Sequence, residues 1–259
     1  MAMLASVLRR DRAIVATGLA GIAALAWLYL LRLAGEMSEM AEHAAMGMAM
    51  PRAEVWDVVD LVFLFLMWAV MMVAMMVPSA TPMILMFTTI NRRRAEQQQA
   101  AVRTAIFLLG YLIVWTAFSA LAASAQWVLH AVALMSPMMA LSSRYLGGAL
   151  LIVAGVFQWT PLKDTCLRTC RSPLGFIMSE WREGARGALI MGVRHGAYCL
   201  GCCWALMVLL FVAGVMNLIW VAAIAAFVLI EKVVPGGPWV SRIAGGLLVV
   251  AGVFVLISR

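Results

Sequence analysis

An all-α, polytopic transmembrane helix bundle is expected for this chain, from three observations. Of its 259 residues, 65% are hydrophobic and only 12% are charged. An ordinary soluble domain has about 45–50% and about 25% respectively. The apolar residues are gathered in long runs, many near the roughly 20 residues that cross a hydrocarbon core. The basic residues, which bring the formal net charge to +7, lie between those runs. A soluble core of this size cannot hide so much apolar surface, so the lipid bilayer is the expected solvent.

The runs can be taken in order. Ala13 to Leu31 follows Arg9, Arg10 and Arg12, and is too long for a cleaved signal peptide. Val58 to Val77 continues in apolar pattern past Pro78 and Pro82 to Ile90. Thr104 to Ala125 is the third run, and Tyr145 to Trp159 is a short fourth. Ala188 to Val212, Leu218 to Ile230 and Ile243 to Ile257 complete the set. The expected count is about seven spans. Six remain possible, because the fourth is short and only Gly214 to Asn217 separates the fifth from the sixth. Between the fourth and fifth runs, Leu174 to Arg186 mixes Phe176, Ile177 and Trp181 with charges. It reads as a cytoplasmic amphipathic helix lying on the membrane face, or as a solvated loop. Residues 1–55 form an N-terminal span with a Met-rich loop, and residues 56–259 a helical membrane domain.

Loop charge orients the bundle. Arg92, Arg93, Arg94 and Arg103 follow the second run; Lys163, Arg168, Arg171, Arg182, Arg186 and Arg194 follow the fourth; Lys232 and Arg242 follow the sixth. With seven spans these share one side with the N-terminal arginines. The other side begins with an acidic loop carrying Glu36, Glu39, Glu42, Glu54 and Asp57. The positive-inside rule then puts the N-terminus in the cytoplasm and the C-terminus outside. A six-span count reverses the C-terminus. The positive charge is explained by topology, so no nucleic-acid partner is expected. Nor is there a phosphate-binding glycine loop, a nucleotide fingerprint or a serine–histidine–acid set. Gly245-Gly246 in the last run reads as a close helix-packing site.

The chemistry-bearing residues are soft. The densest cluster is His195-Gly-Ala-Tyr-Cys199-Leu-Gly-Cys202-Cys203-Trp204. Residues four and three apart share a helix face, so His195, Cys199 and Cys202 project together, with Cys203 beside Cys199. Thiols and an imidazole in a bilayer are expensive unless used, and grouped sulfur and imidazole ligands suit Cu(I), zinc or a related metal. Single cysteines, by contrast, are ordinary small apolar residues. Cys166 and Cys170 lie one turn apart in Pro161-Leu-Lys163-Asp164-Thr-Cys166-Leu-Arg-Thr-Cys170-Arg171. They read as metal ligands or as a redox pair.

Methionine supplies a second soft set, with 21 residues in the chain. Met67, Met71 and Met75 recur at four-residue spacing, as do Met72 and Met76. They read as core packing or as a thioether-lined path. Pro78 and Pro82 each remove a backbone donor, so the helix is expected to break there and line a cavity. Glu231-Lys232 reads as an interfacial ion pair, or Glu231 as a ligand or hydrogen-bond acceptor facing the cysteines. The loop with Met37, Met40, His43, Met46, Met48 and Met50 reads as a Cu(I)-capturing segment or a plain connector.

Together, Met71 to Ser79, Leu162-Lys163 with Cys166-Leu and Cys170-Arg171, Cys199-Leu-Gly-Cys202-Cys203-Trp204 and Glu231-Lys232 resemble a bacterial family of predicted metal-binding integral membrane proteins, a domain of unknown function. The resemblance covers roughly residues 55 to 257. It implies metal binding and a bacterial inner-membrane location, and fixes neither metal nor reaction.

The expected ligands are therefore Cys199, Cys202, Cys203, His195, Cys166, Cys170, Glu231, Met71, Met75, Met72 and Met76. Copper is the first choice of metal, ahead of zinc or iron. The leading expectation is a membrane protein that binds, delivers or transports copper. The alternative is a subunit of a membrane metal-dependent oxidoreductase or monooxygenase acting on an apolar substrate. Against it, the three histidines lie in separate segments. Either role admits a membrane or soluble partner subunit; a purely structural subunit with packed cysteines is a third reading.

Overall fold

A backbone in hydrocarbon must satisfy its own hydrogen bonds, so apolar runs of this length become helices. The computed structural model describes residues 2–45, 56–94, 97–136 and 139–258. Among the described residues, nine helices and no strands occur. They are α1 (Ala2–Ala45), α2 (Val58–Arg94), α3 (Gln97–Ala131), α4 (Arg144–Phe157), α5 (Pro161–Arg171), α6 (Pro173–Glu180), α7 (Gly184–Ala213), α8 (Leu218–Val233) and α9 (Gly237–Ile257). Five of them, α1, α2, α3, α7 and α9, are long and apolar enough to cross a bilayer. The count rises to six if α4 and α5, which meet at a 63° bend, form one span. The expected seven are not reached by length. The fourth run yields only 14 helical residues and the sixth only 16, about 21 and 24 Å at 1.5 Å per residue. Their direction nevertheless alternates with that of their neighbours.

Cross-contacts define that alternation. Asp11 pairs with Arg92 at 2.9 Å and the Trp27 indole donates to the Ala74 carbonyl, so α1 and α2 are antiparallel. Trp68 donates to Gln126 and Asn91 to the Ala100 carbonyl, so α3 turns back along α2. Helix α7 runs parallel to α3, with Gly192 against Phe107 and Gly196 against Tyr111 and Val114. Helix α9 runs antiparallel to α4, with Gly252 against Gly148 and Gly245 against Gly155. These contacts give the bundle two ends, one carrying Arg92 and Arg171, the other Trp56.

Glycine sets how closely the helices meet. A Cβ on Gly192 would overlap the Phe107 carbonyl, so α3 and α7 touch backbone to backbone. The expected packing role of Gly245 holds: a Cβ on Gly155 would stand 2.7 Å from its carbonyl. Gly246 makes no such contact; a Cβ there would find only Trp159, at 3.9 Å. Gly192→Ala is expected to cost about 1–3 kcal/mol by overpacking. Reversible unfolding in mixed micelles measures it, with Gly35→Ala, whose Cβ would meet nothing within 4 Å, as the neutral comparison.

Two expectations are corrected. Helix α2 does not break at Pro78 and Pro82; it is continuous from Val58 to Arg94 with both prolines inside. Pro78 offers no N–H to the carbonyl four residues back. That carbonyl, Ala74 O, takes the Trp27 indole instead, at 3.2 Å. Nearby, Ser79 donates to Met76 O and Thr81 to Val77 O, each at 3.0 Å. Second, Leu174 to Arg186 is not one amphipathic helix. Helix α6 stops at Glu180, and α7 begins at Gly184, whose φ of 76° is one that side-chain-bearing residues rarely adopt. Phe176 and Ile177 are buried while Leu174 and Met178 are exposed. The helix with polar and buried faces is α5, which turns Lys163, Cys166, Leu167 and Cys170 inward.

The outer surface is apolar, with Leu25, Phe63, Leu121, Leu247 and Phe254 among its exposed side chains. The interior holds the polar minority: Asn91, Gln126, Gln158, Lys163, His195 and Glu231 are buried. Charge inside and hydrocarbon outside is the arrangement that a lipid solvent selects. The tract containing Met40, His43, Met46, Met48 and Met50 lies outside the residues whose side chains are described.

Candidate metal centre

The helical register brings three cysteines of α7 to one place. Cys199, Cys202 and Cys203 are all buried, and the thiols of Cys202 and Cys203 each donate to the Cys199 carbonyl at 3.0 Å. Helix α5 adds the other two. The Cys170 side chain lies next to those of Cys199 and Cys202. Cys166 interacts with Cys202, and its sulfur lies against Gly201, where a Cβ would stand 2.8 Å away. Gly201 in the Cys-Leu-Gly-Cys-Cys stretch therefore makes the room that lets α5 dock. All five cysteines are buried free thiols, gathered from segments about 30 residues apart.

A cation and a phenol complete the shell. Lys232 of α8 donates its ammonium to Cys199 Sγ at 2.9 Å and to Ser79 Oγ at 3.0 Å. The Tyr111 hydroxyl of α3 lies 3.1 Å from Cys199 Sγ and 3.1 Å from Met76 O. Cys199 is thus held by α3 and α8, and both partners also bond to α2. Sequence periodicity did not reveal Lys232, Tyr111 or Ser79 as neighbours of the thiols, because each sits on another helix. The signal that was present in Lys232 was its burial cost in a span.

His195 lies one turn before Cys199, on the face the spacing predicts. It is buried among the rings of Phe107, Tyr111 and Phe176, with centroids 5.5 to 6.1 Å away. Its Nδ1 has no hydrogen-bond partner among the described residues. An orphaned buried nitrogen costs free energy, and a soft-metal ligand is one use for it.

Glu231 departs from the interfacial-pair expectation. It does not pair with Lys232 at an interface; it is buried, and its carboxylate accepts from Lys163 Nζ at 2.6 Å and also from Ser241. Lys163 also donates to Gln158, and Arg171 holds the Glu231 carbonyl. The Lys163–Glu231 pair ties α5 to α8 beside the thiols, so Glu231 is engaged with a cation and not with cysteine sulfur.

Met71, Met72, Met75 and Met76 are all at most 1% exposed. Their stripe leads along α2 to Ser79, and so to Lys232 and Cys199. Among the described residues, no three His, Cys, Asp or Glu side chains are grouped so as to hold a metal ion. The position among the sulfurs is shared with the Lys232 ammonium. The donor set itself fits a soft ion: thiols, an imidazole with an unpartnered ring nitrogen, and thioethers behind them.

Two further cavities flank the bundle. One of about 760 Å³ is lined by apolar side chains of α4, α7, α8 and α9, and no cysteine reaches it. The other, of about 290 Å³, lies at the Trp56 end.

Comparison with known proteins agrees with the chemistry. No curated protein and no solved structure matches the chain. Residues 65–255, about three quarters of the chain, match the family model PpoB2, described as a copper chaperone. The match spans the methionine stripe, both cysteine segments and Glu231-Lys232. It meets the sequence resemblance at the level of a copper-related family. With most of its length matched, the chain belongs to the PpoB2 copper chaperone family.

Proposed function

We propose that this chain is a multi-pass protein of the bacterial inner membrane that binds Cu(I) as its cargo at the α5–α7 thiol cluster and passes it on. The single observation that carries this is the convergence of all five cysteines, from two helices separated in sequence, on one buried place beside His195 and Lys232. Chance packing has no reason to collect every thiol of the chain.

The donor set argues for copper over zinc. Structural zinc takes four ligands in a tetrahedron, often with harder nitrogen or oxygen donors among them. Cu(I) accepts low coordination numbers and prefers sulfur. On binding, Cys199, Cys202 and Cys170 draw together as the central ligands, with Cys203, Cys166 and His195 at their edge. Glu231 acts indirectly, by holding Lys163 and with it α5. Lys232 and the soft cation compete for the Cys199 sulfur, so the lysine keeps the thiols compensated and lets the ion leave to a membrane or soluble acceptor. With the basic end assigned to the cytoplasm by the positive-inside rule, this cluster belongs to the cytoplasmic half and the Met-rich loop to the outer side.

The test is loading of the detergent-purified full chain with Cu(I) under anaerobic conditions, followed by X-ray absorption. Copper bound tightly, with sulfur as the dominant scatterer, is the expected result. Copper held only by nitrogen and oxygen, or tight binding of zinc but not copper, contradicts the proposal.

A further inference from the structure

The smaller cavity, at the Trp56 end, has a chemistry of its own. Three thioether side chains line it from three separate places: Met37 of α1, Met67 of α2 and Met139 of the loop before α4. Asp60 and Trp56 share the lining. The Asp60 carboxylate is already engaged, accepting the Asp57 backbone N–H at 2.9 Å, and Trp56 is stacked on His130 at 3.7 Å. The sulfurs are the soft donors of the lining, beside the Asp60 carboxylate and the Tyr29 hydroxyl.

The loop that presents Met139 is built to hold it. Met139 has a φ of 55°, the left-handed region that a residue with a long side chain rarely occupies. Such a conformation persists only where surrounding contacts impose it. Here the Met139 N–H donates to Ser136 O and its carbonyl accepts from Val215 N–H. The buried Gln126 amide donates to its Sδ at 3.4 Å, while Trp68 donates to the other atom of the same amide at 2.6 Å. A thioether that served only as filling would need no such aiming. Gln126 thus holds the sulfur of a side chain that lines the cavity.

Met67 is the link to the rest of the molecule. It heads the Met67–Met71–Met75 stripe, all buried, and lies twelve residues before Ser79 on α2, about 18 Å along the axis. Ser79 is bonded to Lys232, and Lys232 to Cys199. The thioether cavity and the thiol cluster are thus the two ends of one sulfur-lined helix face.

We infer that Met37, Met67 and Met139 form a second soft-metal site, a thioether site for Cu(I) at the Trp56 end, from which the ion moves toward the thiols. This rests on the copper-handling function proposed above. Thioethers are neutral and bind more weakly than thiolates, so the gradient of affinity runs toward the cysteines. No redox step is involved: the ion exchanges one set of sulfur ligands for another.

Ag(I), a redox-silent analogue, tests it on the full chain in detergent with methyl-¹³C-methionine. The methyl signals of Met37, Met67 and Met139 are expected to shift on addition of Ag(I), and that of the exposed Met178 to stay. The variant with Met37→Leu, Met67→Leu and Met139→Leu is expected to bind one Ag(I) fewer per chain, with the cysteine-bound ion retained. The Cys199→Ser, Cys202→Ser, Cys203→Ser variant is expected to keep the three methyl shifts. That keeps the two sites distinguishable, since loss of thiol binding alone does not touch this result. Unmoved methyl signals in the wild-type chain, or an unchanged Ag(I) count in the leucine variant, overturns the inference.

Discussion

Replacing Cys199, Cys202 and Cys203 together by serine is expected to lower Cu(I) affinity by more than about 100-fold, beyond the roughly 10–100-fold typical of losing a supporting group around a metal ligand. Serine keeps the shape and can still donate to the Cys199 carbonyl, as the thiols of Cys202 and Cys203 do at 3.0 Å. The fold should therefore survive, and near-unchanged helicity and unfolding would show it. What serine removes is polarizable sulfur, the property that selects Cu(I) over harder ions. Competition with a chromophoric Cu(I) chelator reads the affinity directly. An affinity within about threefold of wild type, set against that 100-fold expectation, would mean that these thiols only pack. Single Cys166→Ser and Cys170→Ser variants extend the measurement to α5. Cys170, next to both Cys199 and Cys202, should lose more than Cys166, which meets only Cys202 and Gly201.

The second large effect is structural. Lys163→Met is expected to destabilise the protein by about 3–5 kcal/mol, the usual cost of stranding one partner of a buried ion pair. Both side chains of the Lys163–Glu231 pair are 1% exposed, so water cannot take over for the missing ammonium. Glu231 would keep the Ser241 hydroxyl but no cation on its carboxylate. Adding Glu231→Gln to Lys163→Met should recover most of the loss, because an uncharged pair leaves no stranded charge. Equilibrium unfolding in mixed micelles measures all three. A double variant as unstable as the single would show that the pair acts by shape and not by charge. Because the pair joins α5 to α8, the single variant should also loosen Cys166 and Cys170, visible as faster thiol labelling.

Helical periodicity is local, and so it was readable. The long apolar runs predicted α1, α2, α3, α7 and α9 with their basic connections, and the same periodicity put His195, Cys199 and Cys202 on one face of α7. Where the local signal was weakest, the fold departed from it. Leu174 to Arg186 splits because Gly184 takes a left-handed turn. Pro78 does not break α2, because Trp27, 47 residues away, supplies a donor to the carbonyl that the proline leaves free.

By itself, then, the sequence determined that the chain is a helical bundle for a lipid solvent, and that its thiols and thioethers lie at helical spacing. Only the tertiary structure decided which helices share a boundary. It docked α5 onto Gly201, paired Glu231 with Lys163 in place of Lys232, set Lys232 and Tyr111 on Cys199, and brought Met37, Met67 and Met139 to line one cavity. The physical reason is that register along one helix follows from bond geometry, whereas neighbours across helices follow from side-chain volumes and from the few glycines that let backbones touch. Those terms are summed over the whole bundle, so no single segment contains them.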